Sequence, residues 1–253
     1  MLKSDSMTII SLVILAHLLG DFVFQSNEAV EDRRKKVGGK KFKQHILIHF
    51  ALLVAVVALV SPLGSGGPIV MTATIGIVVL IGHIILDIIK DMYWKPERST
   101  EWLLGDQFGH FAIIFLAFVA VRREPQMYVW TEYVEYLSLL SKFAISFILL
   151  FKVWPMVVGG LLKQLKLGEE DKLEDSSLKR AGAYIGHLER ILIFIFIVTG
   201  HWEGVGFLLA AKSIFRYGDL TRKEHRMQTE YVLLGTLTSF IGGILTAQLY
   251  IVL

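Results

Sequence analysis

The residues of this chain that are best suited to bind a metal ion come in four pairs, each with a spacing of four positions. The pairs are His17 and Asp21, His45 and His49, His83 and Asp87, and Asp106 and His110. Each pair lies in one of the first four apolar stretches and supplies the only ionisable residues of that stretch. Residues four apart share one face of an α-helix, so each pair forms a two-point clamp. Imidazole and carboxylate groups are ligands that suit a transition metal such as zinc.

A shared metal centre explains why eight such groups are tolerated in apolar segments, because burying them in lipid without a partner would be very costly. The three carboxylates carry −3, so one divalent ion would leave −1, and two ions would leave +1 for a bound hydroxide to neutralise. Two ions in a shared site lie roughly 3.5–4 Å apart, and the sequence leaves their number open at one or two. His45 is nearest the adjoining loop and enters the ligand set last. A buried hydrogen-bond network, or a proton or ion relay, is the alternative use of these residues.

Long apolar runs must carry these pairs, since 54% of the residues are hydrophobic and the mean hydropathy is +0.57. The runs cover residues 7–24, 44–61, 69–89, 105–121, 136–162, 184–200 and 231–253, with a shorter one at 204–215. Most are close to the roughly 20 residues that a helix needs to cross a membrane. The sequence therefore predicts an all-α, polytopic membrane helix bundle with about eight transmembrane helices. We expect the first run to be a retained span, because its basic flank follows it, unlike that of a signal peptide.

The basic residues orient this bundle. Residues 33–43 include seven Lys and Arg and no acid, and short loops of this kind stay on the cytoplasmic side. With eight spans, most of the 26 basic residues fall inside and both termini fall outside. All four pairs then lie at a similar depth, just within the cytoplasmic leaflet. Because the basic residues separate apolar runs, we expect membrane lipids and not nucleic acid as partners, and the absence of cysteine excludes thiolate ligands and disulfides.

The pattern predicts three regions. Residues 1–125 form a four-helix unit with the metal site, 126–180 a fifth span with a charged cytoplasmic linker, and 181–253 a C-terminal set of helices. The last region contains a buried charged cluster of Glu189, Arg190, Lys212, Arg216 and Glu230. These residues either form internal ion pairs, such as Glu189 with Lys212 or Arg216, or line a basic pocket for a lipid headgroup or other anion.

Lys90 lies one turn beyond Asp87 and has two interpretations. Its ammonium group either binds an anionic substrate beside the metal site or extends to the membrane interface. The nearby Gln107, like Gln25 and Gln44, either orients a ligand or is an ordinary polar residue at the end of a span, and the second interpretation is favoured.

Several segments resemble a known family. The segments are HLLGDFVFQ from His17, HIILDIIK from His83 and DQFGH from Asp106, with IGHLERIL, LLAAKSIFR and EYVLLGTLTSF in the C-terminal part. They resemble the bacterial membrane family catalogued as domain of unknown function 3307. The His and Asp pattern is also similar to that of proteins grouped as inner-membrane metal-dependent hydrolases. These resemblances imply a bacterial inner-membrane location and, through the second alone, hydrolysis.

The function predicted from the sequence is that of an integral membrane metalloprotein, with zinc as the expected ion. It would hydrolyse a membrane-associated lipid or phosphoester near the cytoplasmic leaflet. A divalent-cation or proton transporter is the alternative, although the outer halves of the first four spans contain no ionisable residue. A structural or regulatory subunit with a structural metal is a third hypothesis, and the sequence allows a homo-oligomer.

Overall fold

The computed structural model describes residues 2–35, 38–61, 67–121, 131–164, 176–220 and 226–253. Ten α-helices lie in these ranges: α1 (Leu2–Leu18), α2 (Asn27–Lys35), α3 (Lys40–Val60), α4 (Gly67–Tyr93), α5 (Ser99–Val121), α6 (Thr131–Ile148), α7 (Trp154–Gln164), α8 (Ser176–Val198), α9 (Trp202–Leu220) and α10 (Arg226–Val252). Two π-helical turns, Leu19–Val23 and Leu149–Val153, and a 3₁₀ turn, Pro96–Arg98, adjoin them. No strand occurs in the described ranges, and the all-α class is confirmed.

Five helical segments of the described chain are long and apolar enough to cross a membrane. They are Lys40–Val60, Ile69–Tyr93, Pro96–Val121, Glu132–Gln164 and Leu233–Val252, and a shorter apolar helix covers Met7–Val23. A membrane helix bundle fits these segments. The count of eight spans, the side of each loop and the positions of the termini stay predictions.

The chain divides into two compact units, Met1–Ile148 with Leu253, and Leu149–Val252. The three regions predicted from the sequence stay a prediction. In the first unit, α1 packs against α3, α5 and α6, while α4 packs against α3 and α5. Their contact surfaces form one apolar core, whose most buried members are Ile9, Val13, Val60, Ile75 and Ile114. This core fixes the four helices that carry the candidate ligand pairs.

The helix α2 is an addition that the apolar pattern does not reveal, because its nine residues are mainly polar. The hydroxyl of Ser26 accepts a hydrogen bond from the backbone amide of Ala29 at 3.2 Å, which is a common way to begin a helix. After α2 the chain turns through Gly38, whose φ of 76° favours glycine. The basic segment 33–43 is therefore not one loop: it includes the end of α2 and the start of α3, and α2 packs on α3 and α4.

In the second unit, α10 packs against α7 and α8, and α8 packs against α9. A π-helical turn, Leu149–Val153, precedes Trp154 and Pro155. Proline has no amide hydrogen and its ring crowds the preceding turn, so the regular hydrogen-bond ladder cannot continue through it. The wider turn leaves the carbonyl of Leu150 able to accept a hydrogen bond from the Arg190 guanidinium at 2.9 Å.

Candidate metal centre

The eight predicted ligands converge at one buried cluster in the first unit. α1 with its π-helical turn, α3, α4 and α5 each contribute one pair. Neighbouring rings of the five histidines have centroids 3.9–5.9 Å apart. Each of the five is buried, and His83 is only 1% exposed. The structure therefore brings all eight side chains together, as the helical spacing predicts.

The tightest group in this cluster consists of His45, His83 and Asp87. The Nε2 atoms of His45 and His83 are 3.0 Å apart, and they lie 3.2 and 3.3 Å from Oδ2 of Asp87. Ligand atoms at 2.0–2.1 Å from a tetrahedral zinc ion are separated by roughly 3.3 Å. The triangle thus has nearly the size of one face of such a coordination sphere. His45, which the sequence ranks last, belongs to the tightest group.

Asp21 joins this triangle to a second group. Its Oδ1 lies 3.5 Å from Nε2 of His45 and 3.9 Å from Nε2 of His83. The same oxygen is 3.1 Å from Nε2 of His49, and Oδ2 is 3.7 Å from Nε2 of His17. One ligand atom from each of four residues lies within 4.8 Å of the other three: His17, Asp21, His49 and His83. Since a carboxylate has two oxygens, Asp21 would be able to contribute one oxygen to each group if metal is bound.

Asp106 and His110 form the third group, again with Asp21. Nδ1 of His110 lies 2.7 Å from the backbone carbonyl of Asp106, so this nitrogen carries the proton and donates it. The other nitrogen, Nε2, is then an acceptor. It is buried and, among the described residues, has no hydrogen-bond partner; the same holds for Oδ1 of Asp106. A neutral imidazole with one nitrogen held by a carbonyl is the usual form of a metal-binding histidine.

Arg33 and Asp91 belong to the cluster but were missed by the sequence analysis. Nη2 of Arg33 lies 2.9 Å from Oδ2 of Asp87 and 3.1 Å from Oδ2 of Asp91. Burial alone would lower the pKa of the guanidinium, but the two carboxylates outweigh burial and raise the pKa of Arg33. Arg33 therefore remains a cation. The spacing of His83, Asp87 and Asp91 continues one helical face and is the signal that identifies Asp91.

Lys90 and Gln107 connect the groups. Nζ of Lys90 donates to Oδ2 of Asp106 at 2.6 Å and lies 3.5 Å from Oδ1 of Asp87. The Gln107 amide nitrogen donates to Oδ2 of Asp21 at 3.0 Å, and its Oε1 is 3.2 Å from Nε2 of His17. Gln107 therefore orients two candidate ligands. Its interpretation as an ordinary polar residue at the end of a span misses these contacts.

Local backbone structure places Asp21 in the cluster. The π-helical turn Leu19–Val23 has its closing hydrogen bond from the Phe24 amide to the Leu19 carbonyl at 2.9 Å. Within this turn, Gly20 lies against the His49 ring, and a Cβ there would clash with ring atoms of His49. A larger residue at this position would therefore require the His49 ring, and with it the Asp21–His49 contact, to shift.

The ionised groups of the cluster leave a net negative charge. Four carboxylates (Asp21, Asp87, Asp91 and Asp106) face two cations (Arg33 and Lys90), a net charge of −2 with neutral imidazoles. One divalent ion would neutralise this charge.

The predicted charged cluster of the second unit divides into two sets of contacts. Nζ of Lys212 pairs with both oxygens of Glu189, at 2.6 and 2.7 Å. The buried Arg190 instead donates to the Leu150 carbonyl and, at 2.8 Å, to the Ser239 hydroxyl, and its Nη2 lies 3.0 Å from Nδ1 of His187. The Glu189–Lys212 pair is one of those expected from the sequence. The side chains of Arg216 and Glu230 lie outside the described residues.

Residues 9–140, slightly more than half of the chain, match the family described as "Protein of unknown function (DUF3307)". The chain belongs to this family, and the matched segment contains all eight predicted metal ligands. No curated protein and no solved structure matches the chain. The resemblance to metal-dependent hydrolases therefore has no support from these comparisons.

Proposed function

We propose that the chain is an integral membrane metalloprotein that binds a divalent transition metal, with zinc as the first candidate, between α1, α3, α4 and α5. The observation that carries this proposal is the triangle of Nε2 atoms of His45 and His83 with Oδ2 of Asp87, 3.0–3.3 Å on each side. Asp21 is the candidate fourth ligand, because its Oδ1 lies 3.5–3.9 Å from the two nitrogens.

A hydrogen-bond network without a metal fits this triangle less well. A neutral imidazole has one N–H and one bare nitrogen. If both Nε2 atoms donate to Asp87, their two hydrogens face each other across 3.0 Å. If only one carries a hydrogen, it donates either to Asp87 or to the other nitrogen at 3.0 Å, and the bare nitrogen still lies within 3.3 Å of the carboxylate oxygen. A cation among the three atoms removes both conflicts, since each atom then directs a lone pair at the ion.

We further propose that the centre hydrolyses an ester or phosphoester of a membrane-associated substrate. A bound zinc ion would lower the pKa of a coordinated water toward neutrality. The water oxygen would form the new bond to carbon or phosphorus, the ester bond would break, and the leaving oxygen would take a proton. Two features support access for such a substrate: the cluster lies in the C-terminal half of the span Ile69–Tyr93 and the N-terminal half of the span Lys40–Val60, and Lys90 and Asp106 line an open pocket.

The arrangement of the core disfavours transport across the bundle. On the other side of the cluster, α1, α3, α4 and α5 pack through apolar residues such as Val13, Val60 and Ile75. The buried polar residues of that half, among those described, carry hydroxyl groups only: Thr8, Ser11 and Thr72. A cation path would need ligands along its whole length.

The test combines elemental analysis with hydrolysis assays on the full chain, purified in detergent without chelator. The wild type should hold at least one transition-metal ion per chain and release product from a panel of lipid esters and phosphoesters. A chelator should abolish release, and the metal should restore it. The His83→Ala variant should lose both metal and activity, whereas His201→Ala, at an exposed histidine, should keep both.

Three results would contradict the proposal. The first is a wild-type chain without stoichiometric metal, and the second is a His83→Ala variant with the same metal content as the wild type. The third concerns the function alone: metal uptake into proteoliposomes that depends on His83, without hydrolysis of any lipid in the panel, would establish the transporter in place of the hydrolase.

A further inference from the structure

One pocket of the first unit opens directly beside the candidate metal centre. Its volume is about 610 Å³, and it lies between the C-terminal end of α4, the 3₁₀ turn and the first two turns of α5. Lys90 and Asp106 form part of its wall. A group bound there would therefore contact the same Lys90 ammonium that lies 2.6 Å from Asp106.

The polar lining of this pocket is mainly cationic. Lys90, Lys95 and Arg98 contribute three positive charges, against the carboxylates of Glu101 and Asp106. Lys95 and Arg98 are exposed, and the only ion pair of Arg98 among the described residues is a loose one, 3.8 Å from Glu101. These side chains are therefore available to an anion, and phosphate oxygens are strong acceptors for Lys and Arg.

The remaining residues of the pocket lining are apolar and aromatic, as is typical of the boundary between the membrane core and the lipid headgroups. Leu86 and Ile89 contribute apolar surface, and Tyr93 and Trp102 stand on the two helix ends. Aromatic residues at span ends are typical of the level of the lipid headgroups. The pocket lining thus contains both apolar surface, which suits acyl chains, and cationic side chains.

We propose that this pocket binds the phosphate-bearing headgroup of an anionic lipid, with Lys95 and Arg98 at its mouth and Lys90 at its inner end. This inference rests on the proposed function, because it names the substrate class of the same centre: a lipid phosphoester and not a neutral carboxylic ester. On binding, the phosphate takes one hydrogen bond from Lys90 and lies beside Asp106, at the edge of the ligand cluster.

Binding is measured by calorimetric titration of the full chain in detergent, with and without added zinc. The probes are dihexanoyl phosphatidic acid, dihexanoyl phosphatidylcholine and inorganic phosphate. The variant Lys95→Gln/Arg98→Gln removes two charges from the pocket. Its matched control, Lys41→Gln/Lys43→Gln, removes two exposed charges of α3 that lie outside the pocket lining.

The wild type should bind phosphatidic acid more tightly than the other two probes. The pocket variant should weaken this affinity about tenfold, as the loss of charge-assisted hydrogen bonds predicts, and the control should stay within about twofold. Gly105 supplies a steric test, because a Cβ at this position in the pocket wall would meet nothing within 4 Å. Gly105→Phe should therefore fill part of the pocket and lower the affinity without altering any charge.

Equal affinity in the pocket variant and its control would overturn the assignment of the pocket. Inorganic phosphate that binds as tightly as phosphatidic acid would overturn the assignment to a lipid. The metal site is assessed separately in the same proteins. If zinc binds normally but the pocket variant binds phosphatidic acid like the wild type, this inference alone is refuted. If lipid binding depends on the pocket but the chain binds no zinc, the proposed function is refuted.

Discussion

Two aspartates one turn apart on α4 provide the most direct test of which carboxylates bind the metal. Asp87 and Asp91 both contact Arg33, at 2.9 and 3.1 Å. Only Asp87 also lies within 3.3 Å of two imidazole nitrogens. Asp87→Asn and Asp91→Asn therefore remove the same charge from the same ion-pair network, but only the first removes a candidate ligand.

The expected losses of affinity differ in size. Structural zinc sites are worth about 10–16 kcal/mol, so one of four ligands contributes about 2.5–4 kcal/mol, or roughly a hundredfold to a thousandfold in Kd. Asp87→Asn should weaken zinc binding by that factor. Asp91→Asn should weaken it by only about tenfold, at the lower end of the effect of residues that orient ligands, because Arg33 then pairs with Asp87 alone and competes more strongly for its oxygen.

Zinc affinity is measured by competition with a fluorescent chelator, on detergent-purified protein of each variant. Glu135→Gln, which removes an exposed carboxylate of α6, is the control for the loss of one charge and should bind zinc like the wild type. Equal affinities for Asp87→Asn and Asp91→Asn would refute the reasoning, since the two carboxylates would then act only through their common partner. Equal zinc affinities for the wild type and all three variants would show that neither α4 carboxylate contributes to zinc binding.

Two further predictions concern packing and the second unit. Gly20→Ala should weaken zinc binding by at least about tenfold, because its Cβ would displace the His49 ring. The control Gly182→Ala should bind zinc normally, since the added Cβ there meets nothing within 4 Å. Zinc titration compares the two variants, and equal affinities would contradict the role of the close contact between Gly20 and His49. Lys212→Met should lower the free energy of unfolding by about 1–3 kcal/mol, because it leaves Glu189 poorly solvated without its partner at 2.6 Å. Glu189→Gln added to this variant should recover part of the loss in a denaturation assay, and strictly additive effects would show that the pair is not coupled.

Most of the convergence of the candidate ligand pairs could be predicted, because a spacing of four residues places both members of a pair on one helical face. Four consecutive apolar runs, each with two ligands four residues apart, leave few arrangements in which these groups avoid lipid. The structure brings all eight together. The same reasoning could have included Asp91, which continues the face of His83 and Asp87 along α4.

The contribution of Arg33 could not be predicted from the sequence. It is one of seven basic residues in the segment 33–43, and nothing in the local pattern distinguishes it from its neighbours. The selection depends on α2, which packs on α3 and α4 and so brings one guanidinium onto Asp87. Similarly, no pattern in the sequence indicates the π-helical turn at Leu19–Val23, although Asp21 lies within it.

The net charge of the cluster depends on Arg33 and Lys90 as well as on the candidate ligands. With Arg33 and Lys90 opposite Asp21, Asp87, Asp91 and Asp106, the cluster carries −2, and one divalent ion makes it neutral. A second ion would leave +2 in a largely buried site, which is costly unless an anion enters with it. A phosphate dianion in the neighbouring pocket would lower this excess, although Lys95 and Arg98 share its charge. On the proposed function, one divalent ion would therefore balance the charge of the cluster at rest. Zinc stoichiometry should be one without lipid and should rise only when phosphatidic acid is added, and a stoichiometry of two without lipid would contradict this balance.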